Sequence, residues 1–208
     1  MSSKLLVEHM TFAPHEREAW RRASPAGRRK LLAGLRPCYL TEVIARKATA
    51  RPNRFFGEAY VARALGYDEA WYSSFKWLTA SCWADDRRLT HPARRDFKSA
   101  LGHHFPMLSR VQQLAAAMRA ELGITPVAPD LWLLRKGEHW FVEVKIPPDT
   151  LAGSQIAGMA LIASHLRGAM PVKVATVYLH DQAAPPRNAG NLRAEFQQLC
   201  SVISRFSE

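Results

Sequence analysis

The stretch from Ala128 to Asp149, APDLWLLRKGEHWFVEVKIPPD, constrains the fold more than any other part of this 208-residue chain. Two largely apolar runs flank Lys136, Gly137 and Glu138, which is typical of a β-hairpin. The next two segments, TLAGSQIAGMALIASHLRG and PVKVATVYLHD, have the patterns of a buried helix and an apolar strand. The order strand, strand, helix, strand, helix predicts an α/β (α+β) fold with a central mixed sheet flanked by helices.

Positive charge is concentrated in the first half of the chain. The whole sequence has a net charge of +11 and a pI of about 10.1, which favours a polyanionic partner. Residues 1–110 contain 20 Lys/Arg and 10 Asp/Glu, whereas residues 111–208 contain 9 and 8. The basic surface is therefore expected to be N-terminal to the hairpin, and a merely solvated surface is the alternative.

The cysteine pattern and the hydropathy both favour a soluble cytoplasmic protein. Cys38, Cys82 and Cys200 are odd in number and far apart, so they predict neither a zinc site nor a disulfide framework. The N-terminus lacks the apolar core of a signal peptide, and no apolar run reaches the ~18 residues of a membrane span.

Three charged residues interrupt the apolar runs of the hairpin. Residues two apart in a strand share a face, so Glu143 and Lys145 are expected to point away from Val142 and Val144. A hairpin of this length can bring Asp130 near Glu143. Two neighbouring carboxylates repel unless a cation lies between them, and Mg²⁺ or Mn²⁺ suits such oxygen ligands. A lysine beside the ion could orient or deprotonate a water, so the pattern points to phosphodiester hydrolysis; a turn residue and a surface ion pair are the alternative.

The motif Pro129-Asp130, followed by Glu143-Val144-Lys145, resembles the PD-(D/E)XK nuclease superfamily. The longer pattern PDLWLL…FVEVK, with a glutamine early in the next helix, looks like the VRR-NUC (virus-type replication-repair nuclease) family within it. The resemblance covers about a quarter of the chain, and it departs from the family at KIPPDTLAGSQ, where relatives have a glycine and a compact turn.

The resemblance implies a restriction-endonuclease-like core that binds Mg²⁺ or Mn²⁺. Asp130, Glu143 and the backbone carbonyl of Val144 would hold the ion, and Lys145 would activate or position the attacking water. Gln155 would be the family's helix glutamine, and a polar residue that caps the first turn of the helix is the alternative. The family also has an acidic residue on an upstream helix. For that residue we predict Glu58, which interrupts an apolar helical stripe, with Glu42 as the rival.

The predicted organisation places the site in a nuclease core at residues 53–182. A helical basic N-terminal extension occupies residues 1–52, a basic subdomain is inserted at about 67–105, and a linker and C-terminal helix occupy 183–208. The densest basic cluster is expected to contact DNA phosphates, although a solvated helix face explains it equally well. Its members are Arg87, Arg88, Arg94, Arg95 and Lys98.

The predicted function is a metal-dependent deoxyribonuclease with little sequence specificity, acting on duplex or branched DNA. Its role would be repair and junction processing, or that of an antibacterial DNase toxin (type VI-like effector) delivered into the cytoplasm of a target cell. A toxin would require an acidic immunity protein. The resemblance is compatible with a homodimer for junction cutting, and the long N-terminal half is the alternative to that interface. The alternative function is a non-catalytic DNA-binding module with a degenerate nuclease fold.

Overall fold

A computed structural model describes residues 4–24, 26–28, 55–73, 77–79, 92–182 and 190–205. Five strands and six helices make up most of the regular structure within these residues, and residues 26–28 are also helical. The strands are β1 (Leu5–Phe12), β2 (Glu69–Tyr72), β3 (Leu131–Arg135), β4 (Glu138–Lys145) and β5 (Val172–Asp181). The helices are α1 (Pro14–Arg22), α2 (Phe56–Leu65), α3 (Pro92–His104), α4 (Leu108–Leu122), α5 (Gly153–His165) and α6 (Gly190–Arg205).

The strands form one mixed sheet in the order β1-β5-β4-β3-β2. The pairs β1–β5 and β5–β4 are parallel, whereas β4–β3 and β3–β2 are antiparallel. The prediction of a mixed sheet flanked by helices is therefore confirmed. Among the described residues, no helix combines the length and the apolar character that a membrane crossing requires.

Two hydrophobic clusters cover the two faces of the sheet, and β4 contributes to both. Phe141 packs in the cluster that contains the buried side of α5, while Val142 packs in the cluster that contains α2. Side chains alternate across a strand, so Glu143 lies on the α5 face and Val144 on the α2 face. The two faces thus present different chemistry at the same end of β4.

The predicted hairpin is confirmed, and its turn explains its register. Lys136 and Gly137 both have positive φ, +50° and +72°, as a two-residue type I′ turn requires. Arg135 consequently pairs with Glu138, and Leu131 pairs with Val142. This register brings the residue before β3 alongside the last residues of β4.

A close approach between α5 and the loop before β3 fixes the loop that carries Asp130. A Cβ added at Gly158 would lie 1.8 Å from the carbonyl oxygen of Val127, so only glycine fits there. The N–H of Val127 also donates to the carbonyl of Ser154, at 2.9 Å. The start of α5 and the approach to β3 are therefore held together at this end of the sheet.

The predicted helical N-terminal extension is wrong for residues 5–12, which form β1. This segment, LLVEHMTF, lacks strict alternation, and it becomes a strand by parallel pairing with β5, about 170 residues later. Four of its eight side chains are half-buried and two are exposed, so its own sequence carries a weak strand signal.

The described parts of residues 67–105 join the main sheet and its core instead of forming a separate unit. β2 pairs with β3, and Phe97 and Leu101 of α3 are buried in the cluster on the α5 face. At the other end of the chain the predicted C-terminal helix is present as α6, which packs against α5.

Candidate active site at the end of strand β4

Glu143 is a buried carboxyl group near the end of β4. Its exposed fraction is 1%, and it points toward α5 on the same face as Phe141. A charged side chain is rarely this buried unless other groups compensate it. The groups around Glu143 therefore determine its charge and its possible chemical role.

Two side chains donate hydrogen bonds to the same oxygen of Glu143. The ammonium of Lys145 lies 3.0 Å from Oε1, and its side chain is only 11% exposed. Nε2 of Gln155, in the first turn of α5, also donates to Oε1. The Gln155 amide is held in turn by the N–H of Ala152, which donates to its Oε1 at 3.0 Å. One carboxylate oxygen is thus fixed by a cation and an amide.

Asp130 reaches the same place from the opposite strand of the hairpin. β3 pairs with β4 only as far as Leu131 and Val142, so the N–H of Val144 lies beyond the last pair. Oδ2 of Asp130 accepts a hydrogen bond from that N–H at 3.1 Å. The N–H of Ser73 donates to the Asp130 carbonyl at 2.7 Å, which anchors the backbone. The Asp130 and Glu143 carboxyl groups are close enough that each shifts the pKa of the other.

Burial raises the pKa of both carboxyl groups in this pair. Burial, followed by the negative charge of Asp130, raises the pKa of Glu143 to about 8, although Lys145 opposes the shift. Burial also raises the pKa of Asp130, against the hydrogen bond from Val144 and the charge of Lys145. A buried carboxyl group whose pKa is raised in this way holds a proton that a bound cation can replace.

The donor set fits a hard divalent cation. Asp130 and Glu143 supply two carboxylates. The N–H and the carbonyl of a strand residue point to the same edge of the strand, so the Val144 carbonyl lies on the edge where Asp130 accepts from the Val144 N–H. Within the described residues no group of three or more His, Cys, Asp or Glu side chains is arranged to hold a metal. An ion here would therefore keep several waters, as Mg²⁺ does, and a zinc-type cage is not offered.

Glu58 lies in the first turn of α2, on the face of the sheet opposite to α5, and its side chain is half-buried. The adjacent Gly57 packs over Val144 and Ile146, since a Cβ added there would lie 3.1 Å from both side chains. The structure thus places α2 beside the end of β4, but it does not bring Glu58 into a three-carboxylate group. The rival Glu42 lies outside the described residues.

The predicted DNA-contacting cluster is described only in part. Arg95 and Lys98 are exposed on α3, while Arg87 and Arg88 lie outside the described residues. The backbone of Arg94 belongs to α3, and its side chain is not described. Their contact with DNA stays a prediction.

A stack of three aromatic rings, which was not predicted from the sequence, lies next to this site. His9 of β1 stacks on Tyr178 and on His180 of β5, with ring centroids 5.4 and 5.2 Å apart. His9 Nδ1 and His180 Nε2 are 2.9 Å apart. No local pattern could have indicated this cluster, because the parallel pairing of β1 with β5 creates it.

Comparisons with protein-family models, with curated proteins and with solved structures find no match for this chain. The resemblance to PD-(D/E)XK nucleases is therefore carried by the residues of the motif alone. The arrangement of four side chains is therefore the basis for a function: Asp130, Glu143, Lys145 and Gln155.

Proposed function

We propose that this chain is a metal-dependent deoxyribonuclease of the PD-(D/E)XK type, with a restriction-endonuclease-like core. The observation that carries the proposal is the convergence of Asp130, Lys145 and Gln155 on the buried carboxyl of Glu143. A surface ion pair would be exposed and would not hold two carboxyl groups together. The mixed sheet flanked by helices agrees with such a core.

Asp130, Glu143 and the carbonyl of Val144 would hold Mg²⁺ or Mn²⁺. When bound, the ion supplies polarisation of a phosphoryl oxygen and a lowered pKa for bound water. Gln155 orients Glu143 through its amide, which is in turn fixed by the backbone of Ala152. The contribution of Glu58, direct or through a water, stays a prediction.

Lys145 acts on the reacting groups from beside Glu143. Its ammonium is mostly buried and 3.0 Å from the carboxylate, so its position is restricted. From there it can orient the attacking water and offset the charge that develops on the phosphate. A lysine placed in this way contributes more to the transition state than to ground-state binding.

DNA is the proposed substrate because the net charge of +11 favours a polyanion. No base-reading motif is visible, so recognition would use the backbone and shape of duplex or branched DNA. Repair and junction processing, or action as a DNase toxin neutralised by an acidic immunity protein, are the two roles we propose. Cytoplasmic action, in the producing cell or in a target cell, and a homodimer belong to the same proposal.

Plasmid cleavage tests the proposal. Supercoiled plasmid is incubated with purified protein in Mg²⁺, in Mn²⁺ and in EDTA, beside Glu143→Ala and the control Glu138→Ala. Glu138 is a carboxylate on the same strand that pairs with Lys173 at 2.7 Å, away from the site. We expect cleavage that requires metal, is lost in Glu143→Ala and is retained in Glu138→Ala. Plasmid binding without cleavage, for all metals and for branched DNA as well, would support the alternative of a non-catalytic DNA-binding module.

A further inference from the structure

Three parallel strands present their side chains in cross-strand rows on the α5 face. Because β4, β5 and β1 all run in the same direction, each row lies at one level along the sheet. The rows become more polar toward the strand ends. In order, they are Phe141–Val174–Leu5, Glu143–Thr176–Val7 and Lys145–Tyr178–His9.

The last row leads from the candidate active site to the surface. Lys145 is mostly buried, Tyr178 is half-buried and His9 is exposed. Lys145 and Tyr178 are directly paired across β4 and β5. Burial raises the pKa of the Tyr178 phenol, while the Lys145 charge acts in the opposite direction. Ligands of sheets with parallel strands bind at the carboxyl ends of those strands, which is where this row lies.

His180 determines which nitrogen of His9 carries the proton. His180 is 3% exposed, and its Nδ1 is buried without a hydrogen-bond partner. A proton on that nitrogen would be an unsatisfied buried donor, so the proton is better placed on Nε2, which donates to Nδ1 of His9 at 2.9 Å. His9 then carries its own proton on Nε2, at the other side of an exposed ring.

We infer that Tyr178 and His9 form a subsite for a nucleic-acid phosphate beside the scissile one, with the phenol O–H and the imidazole Nε2–H as donors. The inference deepens the proposed nuclease function and rests on it. Neighbouring strands lie ~4.8 Å apart, so Lys145 and His9 are separated by roughly 10 Å. The subsite therefore accepts a phosphate close to the scissile one along the same nucleic acid. His180 acts as a positioning residue for His9.

Kinetics on two substrates separate this subsite from the catalytic groups. An oligonucleotide duplex reaches the row, whereas bis(4-nitrophenyl) phosphate has one phosphodiester and cannot. Tyr178→Phe keeps the ring, His9→Gln keeps an N–H donor, and His9→Ala removes it. His15→Ala, an exposed histidine on α1 of the other layer, is the control.

We expect Tyr178→Phe and His9→Ala each to raise KM for the oligonucleotide about tenfold or more, the usual effect of losing a hydrogen bond to a charged group. His9→Gln should recover most of this loss, and hydrolysis of bis(4-nitrophenyl) phosphate should be unchanged in every variant. An unchanged oligonucleotide KM, or an equal loss on both substrates, overturns the inference.

If the wild-type protein cleaves neither substrate, the proposed nuclease function is wrong. Fluorescence anisotropy of the same duplex then tests the phosphate subsite independently of cleavage. Weaker binding by Tyr178→Phe and His9→Ala, but not by His15→Ala, supports a phosphate subsite in a non-catalytic protein. Equal binding by all four proteins overturns it.

Discussion

His139 and Glu143 lie four residues apart on β4 and point to the same face of the sheet. Their exposed fractions are 0% and 1%, and burial shifts both pKa values toward the neutral form. The pKa of His139 falls to about 4 and that of Glu143 rises to about 8. By burial and pKa alone, either residue would qualify as a functional group.

The groups that surround His139 and Glu143 distinguish the two residues. His139 is surrounded by rings: Trp132 donates to its Nδ1 at 3.2 Å, and the rings of Phe105 and His104 lie 4.7 and 4.9 Å from its own. Glu143 is surrounded by polar groups that converge on one carboxyl. A buried ionisable residue is thus a site candidate when charged partners meet at it, and a core residue when aromatic rings enclose it.

Exchanging the lysine of the site for an apolar side chain should cause a large loss of activity. Lys145→Met keeps most of the side-chain volume but removes the ammonium that contacts Glu143, so we expect metal-dependent cleavage to fall by about 10² or more. His139→Phe should leave the rate per folded molecule unchanged. Cleavage of supercoiled plasmid, normalised to the folded fraction, measures both. Comparable losses in the two variants would remove the distinction between a site and a core residue.

The pH dependence of stability should have opposite signs at the two residues. Between pH 4.5 and about 8, folded Glu143 holds a proton that the unfolded chain has released, so its contribution lowers the free energy of unfolding as pH rises. Between pH 6.5 and about 4, unfolded His139 binds a proton that the folded state excludes, so its contribution lowers that free energy as pH falls.

Thermal denaturation in EDTA across this range tests both signs. The Tm of Glu143→Gln relative to wild type should increase steadily from about pH 4.5 to 8. The Tm of His139→Phe relative to wild type should change only between about pH 6.5 and 4, increasing as the pH falls. If these Tm differences do not vary with pH, neither Glu143 nor His139 has the shifted pKa described above.

A smaller loss of cleavage activity is expected when the Gln155 amide, which donates to Glu143, is removed. Gln155→Ala removes one donor to the carboxylate while Lys145 remains, so we expect cleavage to decrease roughly 10-fold and the metal requirement to rise. Gln112→Ala is the matched control, because that amide donates to the Trp77 carbonyl at 2.8 Å, away from the site. Its expected effect is on Tm alone. Full activity of Gln155→Ala would show that Glu143 does not depend on this amide.

The hairpin and helix α5 could be predicted because their signals are local, whereas Gln155 was predicted from the family resemblance. Alternation along β4 and the Lys136-Gly137 turn set the register that brings Asp130 to Val144. The strand β1 could not be predicted in the same way, because its partner β5 is distant in sequence. Helical periodicity indicated the buried stripe around Glu58, but periodicity does not determine which face of a sheet a helix covers.

Binding of Mn²⁺ tests most directly whether the Asp130–Glu143 pair exists to hold a cation. Isothermal titration near pH 7 is repeated in buffers of different ionisation enthalpy, with wild type, Glu143→Gln and the control Glu138→Gln. Because burial and Asp130 keep Glu143 largely protonated at this pH, wild type and the control should release a proton as the ion binds. Glu143→Gln should lose most of the affinity. The same affinity and proton release in Glu143→Gln as in wild type would contradict the account.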